Sequence, residues 1–137
     1  MSDKTADGAP SPVLFVELPM ALPSASNLRE HPMARHRRVV SQRAATRLAL
    51  KARNVYDWLH EPRYKGASRS FGRLLYVNLT RISPRRLDDD NLQGAFKGVR
   101  DEVAAYLGVD DDEPWIVWNY MQAPGKAAVC IKFEVTP

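Results

Sequence analysis

Apolar and polar positions divide the chain into strand-like and helix-like segments. The first, Val13-Leu14-Phe15-Val16-Glu17-Leu18, is a short run of strand formers that Pro19 to Pro23 stops. Ser24 to His31 reads as a polar loop. From Ala34 to Trp58 the chain is helix-compatible. Val39, Val40, Ala44, Leu48 and Val55 form its apolar stripe, and a break near Asn54 ends or bends it. Glu61 to Arg73 contains Pro62, Gly66 and Gly72 and reads as a mobile loop. Leu74 to Ile82 is the clearest strand, closed by Ser83-Pro84. Asn91 to Leu107 is the strongest helix. Leu92, Phe96, Val99, Val103 and Leu107 step by 4, 3, 4 and 4 along one face, and Gly108 is a good stop. Trp115 to Met121 and Ala127 to Val135 read as two strands, and Pro124-Gly125 between them predicts a hairpin.

The predicted order is β-α-β-α-β-β. That is an α+β domain, with two helices packed on a small mixed sheet of about four strands. The domain runs over 13–137, behind a polar leader of residues 1–12 that is expected to be disordered. The leader lacks the charged start and apolar stretch of a secretion signal. No apolar run approaches the length of a bilayer span, so no membrane partner is expected. A single cysteine, Cys130, lies among apolar residues and is expected in the core. It excludes an internal disulfide, and no Cys/His zinc spacing exists. These features suggest a reducing, cytoplasmic setting.

Charge changes the picture more than composition does. Residues 1–86 carry 16 Lys/Arg against 6 Asp/Glu, and residues 87–137 carry 4 against 10. The basic part suits a polyanion partner whose binding salt would weaken. The competing reading is that the two parts simply attract each other in the fold. The basic residues include Arg35, Arg37, Arg38, Arg43, Arg47, Lys51 and Arg53 of the first helix. Arg63, Lys65, Arg69 and Arg73 of the loop and the pair Arg85-Arg86 add to them.

Candidate chemistry gathers at Asp88-Asp89-Asp90-Asn91. On an extended approach, residues two apart share a side, so Asp88 and Asp90 converge and Asp89 points away. Asp90 also sits where the following helix begins, so one of these carboxylates, Asp90 by position, can equally be its cap. Adjacent carboxylates repel unless a cation offsets them, and hard oxygen donors without Cys or His favour Mg²⁺ or Mn²⁺. A second acidic cluster, Asp110 to Glu113, lies beyond the same helix, roughly 25 Å away along its axis. The two clusters meet only if the chain folds back. At 100° per residue, Asp90, Gly94, Lys97 and Asp101 fall within about 40° of one another, opposite the apolar stripe. Lys97 is therefore read either as a phosphate-facing cation or as half of a surface pair with Asp101.

In this order of features the chain resembles the RusA family of Holliday junction resolvases, found in phages and prophages. The resemblance runs from about Val13 to Val135. It is carried by Leu18-Pro19 with Pro23-Ser24-Ala25-Ser26-Asn27 and His31, by Asp88-Asp89-Asp90-Asn91-Leu92, and by Gly108-Val109-Asp110-Asp111. It implies a homodimeric, Mg²⁺-dependent endonuclease that cuts opposed strands of four-way DNA junctions in a bacterial or phage-infected cytoplasm. It further implies catalytic metal ligands Asp88, Asp90 and Asp111, with Asp110 as the alternative third. The family usually has a lysine three residues after the signature asparagine. Here that position is Gly94, and Lys97 is expected to stand in for it. Asn27, Arg29, His31, Arg35, Arg63, Lys65, Arg69, Arg73, Arg85 and Arg86 are the expected DNA contacts, gripping phosphates rather than reading bases. His31 as a general base is the less favoured reading. A non-catalytic branched-DNA binder, or a nuclease for other branched DNA, are the alternatives.

Overall fold

The computed structural model describes residues 12–24, 30–60 and 74–136. Its elements run β1 (Val13–Leu18), α1 (Pro32–Ala52), α2 (Val55–Leu59), β2 (Leu75–Ile82), α3 (Asp89–Ala95), α4 (Lys97–Leu107), β3 (Ile116–Ala123) and β4 (Ala128–Val135). The α+β class and the mixed four-stranded sheet agree with the predicted order, but each expected helix is divided in two. Asn54 takes a left-handed conformation, φ 52°, and separates α1 from α2. Asparagine tolerates that region better than most residues. At Phe96 the turn tightens: its N–H is shared between the carbonyls of Leu92 and Gln93. Gly108, φ 71°, ends α4 with the left-handed cap that glycine adopts at low cost. No helix among the described residues is long and apolar enough to cross a membrane.

The sheet order is β1-β4-β2-β3, and this overturns the expected hairpin. β3 runs parallel to β2, while β4 inserts antiparallel between β2 and β1. The Pro124-Gly125 segment is therefore a crossover over the C-terminal end of β2, not a turn between neighbours. Gly125 marks the crossing, because a Cβ there would stand 2.9 Å from Cγ2 of Ile82. Alternation along the strands sends Leu14, Val16, Leu75, Val77, Leu79, Val129, Ile131 and Phe133 to one face. There they form a single core with Leu50, Val55, Trp58, Leu92, Phe96, Val99, Val103 and Leu107 of the helices. Cys130 falls on the other face and is only half-buried, which corrects its expected core position. Burial pushes its thiol pKa up, and Glu17, its cross-strand partner on β1, adds to the shift.

Helix α1 presents a different face from the one its large apolar residues suggest. Gln42, Thr46 and Leu50 are buried, with Ala45 and Ala49 packed against the core, an i, i+3, i+4, i+7, i+8 set. Val40 and Leu48 lie nearly opposite and are 51% and 69% exposed. Small residues bring α1 close to α4. Buried Glu102 of α4 accepts from Nε of Arg43 at 3.1 Å and of Arg47 at 2.6 Å. Thr46 satisfies its own hydroxyl by donating to the Gln42 carbonyl.

Candidate functional site

β2 is an interior strand, and the chain leaves its C-terminal end through Ser83 to Leu87 into α3. Buried Arg81 fixes this exit. Its Nε donates to the Leu22 carbonyl at 2.7 Å and its Nη1 to the Arg85 carbonyl at 2.7 Å. Burial lowers the pKa of this guanidinium, which nevertheless stays charged. The Leu87 N–H donates to the Gln122 side chain, and the Gln122 amide donates back to the Leu87 carbonyl. These bonds set where α3 begins.

Asp88 is the N-cap of α3: its Oδ1 accepts from the Asn91 N–H at 2.9 Å. The capping alternative is thus realised, at Asp88 rather than Asp90. Asp89 and Asp90 already lie in the first helical turn, and all three side chains are exposed. The strand-like alternation that pairs Asp88 with Asp90 stops at Asp88. Leu92 is buried beneath the acids and anchors the helix in the core.

Asp111 stands elsewhere. Because β2 and β3 are parallel, the loop entering β3 lies at the opposite end from the exit of β2. Leu87 is tied to Gln122, whereas the Asp111 carbonyl accepts from Nε1 of Trp118, about 13 Å further back along β3. The Asp111 carboxylate is held by Arg100, Nε to Oδ2 at 2.9 Å. Arg100 also donates to the Tyr120 hydroxyl at 2.8 Å and lies over the Trp118 ring at 4.7 Å. Burial alone would lower its pKa, but the bonds to Tyr120 and Asp111 outweigh that and raise it. Among the described residues no group of three or more His, Cys, Asp or Glu is placed to hold a metal ion. The donor chemistry at Asp88 and Asp90 suits a hard cation, but Asp111 is not gathered with them and Asp110 is exposed in the same loop.

Lys97 opens α4, 78% exposed, and pairs with Asp101 at 3.2 Å. A Cβ at Gly94 would meet nothing within 4 Å, so the path along that face is open. His31 caps α1, its Nδ1 accepting from the Met33 N–H at 3.1 Å. Arg35 and Arg38 face Glu30, which Arg38 holds below its usual pKa mainly by a hydrogen bond at 2.6 Å. Arg43 and Arg47 serve Glu102, and Arg53 donates to the Phe15 carbonyl. Much of the basic charge of α1 is therefore spent inside the fold. Arg85 and Arg86 remain exposed and line a cavity of about 170 Å³ with Ser83, Pro84, Gln122, Ala123 and Pro124. Asn27, Arg29, Arg63, Lys65, Arg69 and Arg73 lie outside the described residues, as does most of the leader.

Arg100 and Arg81 organise this region, and neither stood out in the sequence. Each is a single arginine in an amphipathic element, and only the tertiary fold gives it partners. No protein-family model matches the chain, and the search of curated proteins found no match either.

Proposed function

We propose that the chain is a structure-specific endodeoxyribonuclease acting on four-way DNA junctions, with its reactive corner at Asp88 and Asp90. The observation that supports this reading is the placement of Asp88-Asp89-Asp90-Asn91-Leu92. Its carboxylates stand in solvent at the carboxyl end of a parallel strand, where open sheets commonly place ligands, and Leu92 locks the segment to the core. Exposed Arg85 and Arg86 flank the corner and suit phosphate contacts. Asp88 and Asp90 are the residues that would hold Mg²⁺ or Mn²⁺. When bound, the ion would supply Lewis-acid polarisation of a phosphate and a more acidic attacking water. Lys97, the first residue of the following helix α4, is the cation proposed to face the phosphate. A two-fold dimer would present two such corners to a two-fold junction.

The deciding experiment is a synthetic four-way junction incubated with Mg²⁺, beside a linear duplex of the same sequence. Paired nicks in the junction alone are expected, and Asp90→Asn should abolish them while leaving junction binding in place. Cleavage by Asp90→Asn at the native rate would overturn the reading. A second reading, a branched-DNA binder without cleavage, draws on one observation: Arg100 already neutralises Asp111. Ion-independent junction binding with no nicked product at any Mg²⁺ concentration would favour it.

A further inference from the structure

Asp89 does not share the roles of its neighbours. It lines a cavity of about 340 Å³ with Leu92, Gln93, Trp118, Asn119 and Tyr120, at the side of the sheet where β3 is the edge strand. The size falls within the range of small-ligand pockets. Two aromatic side chains on alternate residues of β3 line one side, and Arg100 contacts both. Its guanidinium lies 4.7 Å over the Trp118 ring and bonds the Tyr120 hydroxyl at 2.8 Å. The indole N–H is fixed on the Asp111 carbonyl at 2.8 Å, and Phe96 tilts against Tyr120 at 5.9 Å. Leu92, 3% exposed, gives the cavity an apolar residue. The Asp89 carboxylate and the Gln93 amide have no side-chain hydrogen-bond or ion-pair partner among the described residues.

From this combination we infer that the cavity receives one unpaired nucleobase of the DNA, and that Asp89 selects bases carrying an exocyclic amine. A flat aromatic wall suits any base face. A carboxylate accepts only, so it favours the exocyclic amines of cytosine, adenine or guanine over unpaired thymine, whose single donor, N3–H, is flanked by two carbonyl oxygens that repel the carboxylate. The cavity adjoins the Asp88 and Asp90 corner, where a branch point would place bases that are already unstacked and therefore cheap to extract. The inference rests on the proposed action on branched DNA and adds a sequence preference to it. The rings need no rearrangement to serve, because Arg100 already immobilises them.

The test is binding, not cleavage. The full chain is titrated in EDTA with fluorescent oligodeoxycytidylate and oligothymidylate of equal length, read by anisotropy. The native protein should bind the cytosine strand about fivefold or more tighter than the thymine strand. Asp89→Asn should bring the ratio to within about twofold. Removing a charge strengthens binding of both strands alike, so the ratio isolates the pocket. No preference in the native protein, or an unchanged ratio in Asp89→Asn, would overturn the inference. A four-way junction titrated alongside separates the two readings. Junction binding without base preference sinks the pocket alone, whereas no binding to any DNA sinks the proposed function with it.

Discussion

Nε of Arg100 stands 2.9 Å from Oδ2 of Asp111, while Nη1 of the same guanidinium reaches the Tyr120 hydroxyl at 2.8 Å. One side chain thus ties α4, the loop before β3 and the wall of the Asp89 cavity together. Arg100→Met keeps the aliphatic stem but removes these charged bonds. It should cost about 1–3 kcal/mol, a fall of several degrees in Tm. Thermal unfolding measures it. An unchanged Tm would mean that the bonds are ornamental.

Leu48 and Leu50 lie two residues apart with opposite fates: 69% and 0% exposed. Leu50→Ala should destabilise the protein by about 2–5 kcal/mol, as expected for emptying a core site. Leu48→Ala should change stability by no more than about 0.5 kcal/mol. Urea titration of both variants decides whether α1 packs on its Gln42-Thr46-Leu50 face. A large loss in Leu48→Ala with little in Leu50→Ala would place the helix in the other rotation.

That reversal shows what the sequence could and could not disclose. Leu92 to Leu107 was legible because its large apolar residues all point one way, and the structure buries all five. In α1 the buried stripe holds Gln42, Ala45, Thr46 and Ala49 beside a single large apolar residue, Leu50, and these small and polar residues let α1 approach α4 closely. A search for large apolar residues therefore lands on the exposed side. The strands were legible from their alternation, but their order was not. Pro124-Gly125 carries ordinary turn chemistry, and only the pairing of both β3 and β4 with β2, rather than with each other, makes it a crossover. The acidic motif was visible, and so was a cap within it, but the helix starts two residues earlier than its apolar stripe suggests, so the cap falls on Asp88 and not on Asp90. The separation of Asp111 was hidden, because it follows from the parallel pairing of β2 and β3.

Cys130 faces Glu17 across the β1–β4 pair. Burial and that carboxylate both disfavour the thiolate, raising the thiol pKa. A raised pKa leaves less thiolate at any given pH, and the thiolate is the nucleophile. Alkylation of the folded protein by iodoacetamide should therefore lag behind that of the urea-unfolded chain at mildly alkaline pH. Its rate should rise only above the ordinary thiol range. Glu17→Gln should quicken it modestly, since burial is the larger cause. A native rate equal to the unfolded rate would contradict the assigned environment.

The open face between Gly94 and Lys97 allows the role of the lysine to be tested by moving it. Lys97 is largely solvated and its Asp101 partner is an i,i+4 surface contact, so Lys97→Ala should alter stability by at most about 0.5 kcal/mol. If Lys97 steadies the phosphate, the same change should lower junction cleavage by about 10²-fold or more. Gly94→Lys meets no steric obstacle, and replacing glycine inside a helix should itself stabilise by roughly 0.5–1 kcal/mol. Placed in the Lys97→Ala background, Gly94→Lys should restore cleavage, because it returns the charge three residues earlier, just across the tightened turn at Phe96 that joins α3 to α4. Single-turnover cleavage of a four-way junction by the three variants reads the outcome. Unimpaired cutting by Lys97→Ala would remove the lysine from the mechanism. Loss in Lys97→Ala without rescue would mean that its own position, not merely its charge, is required.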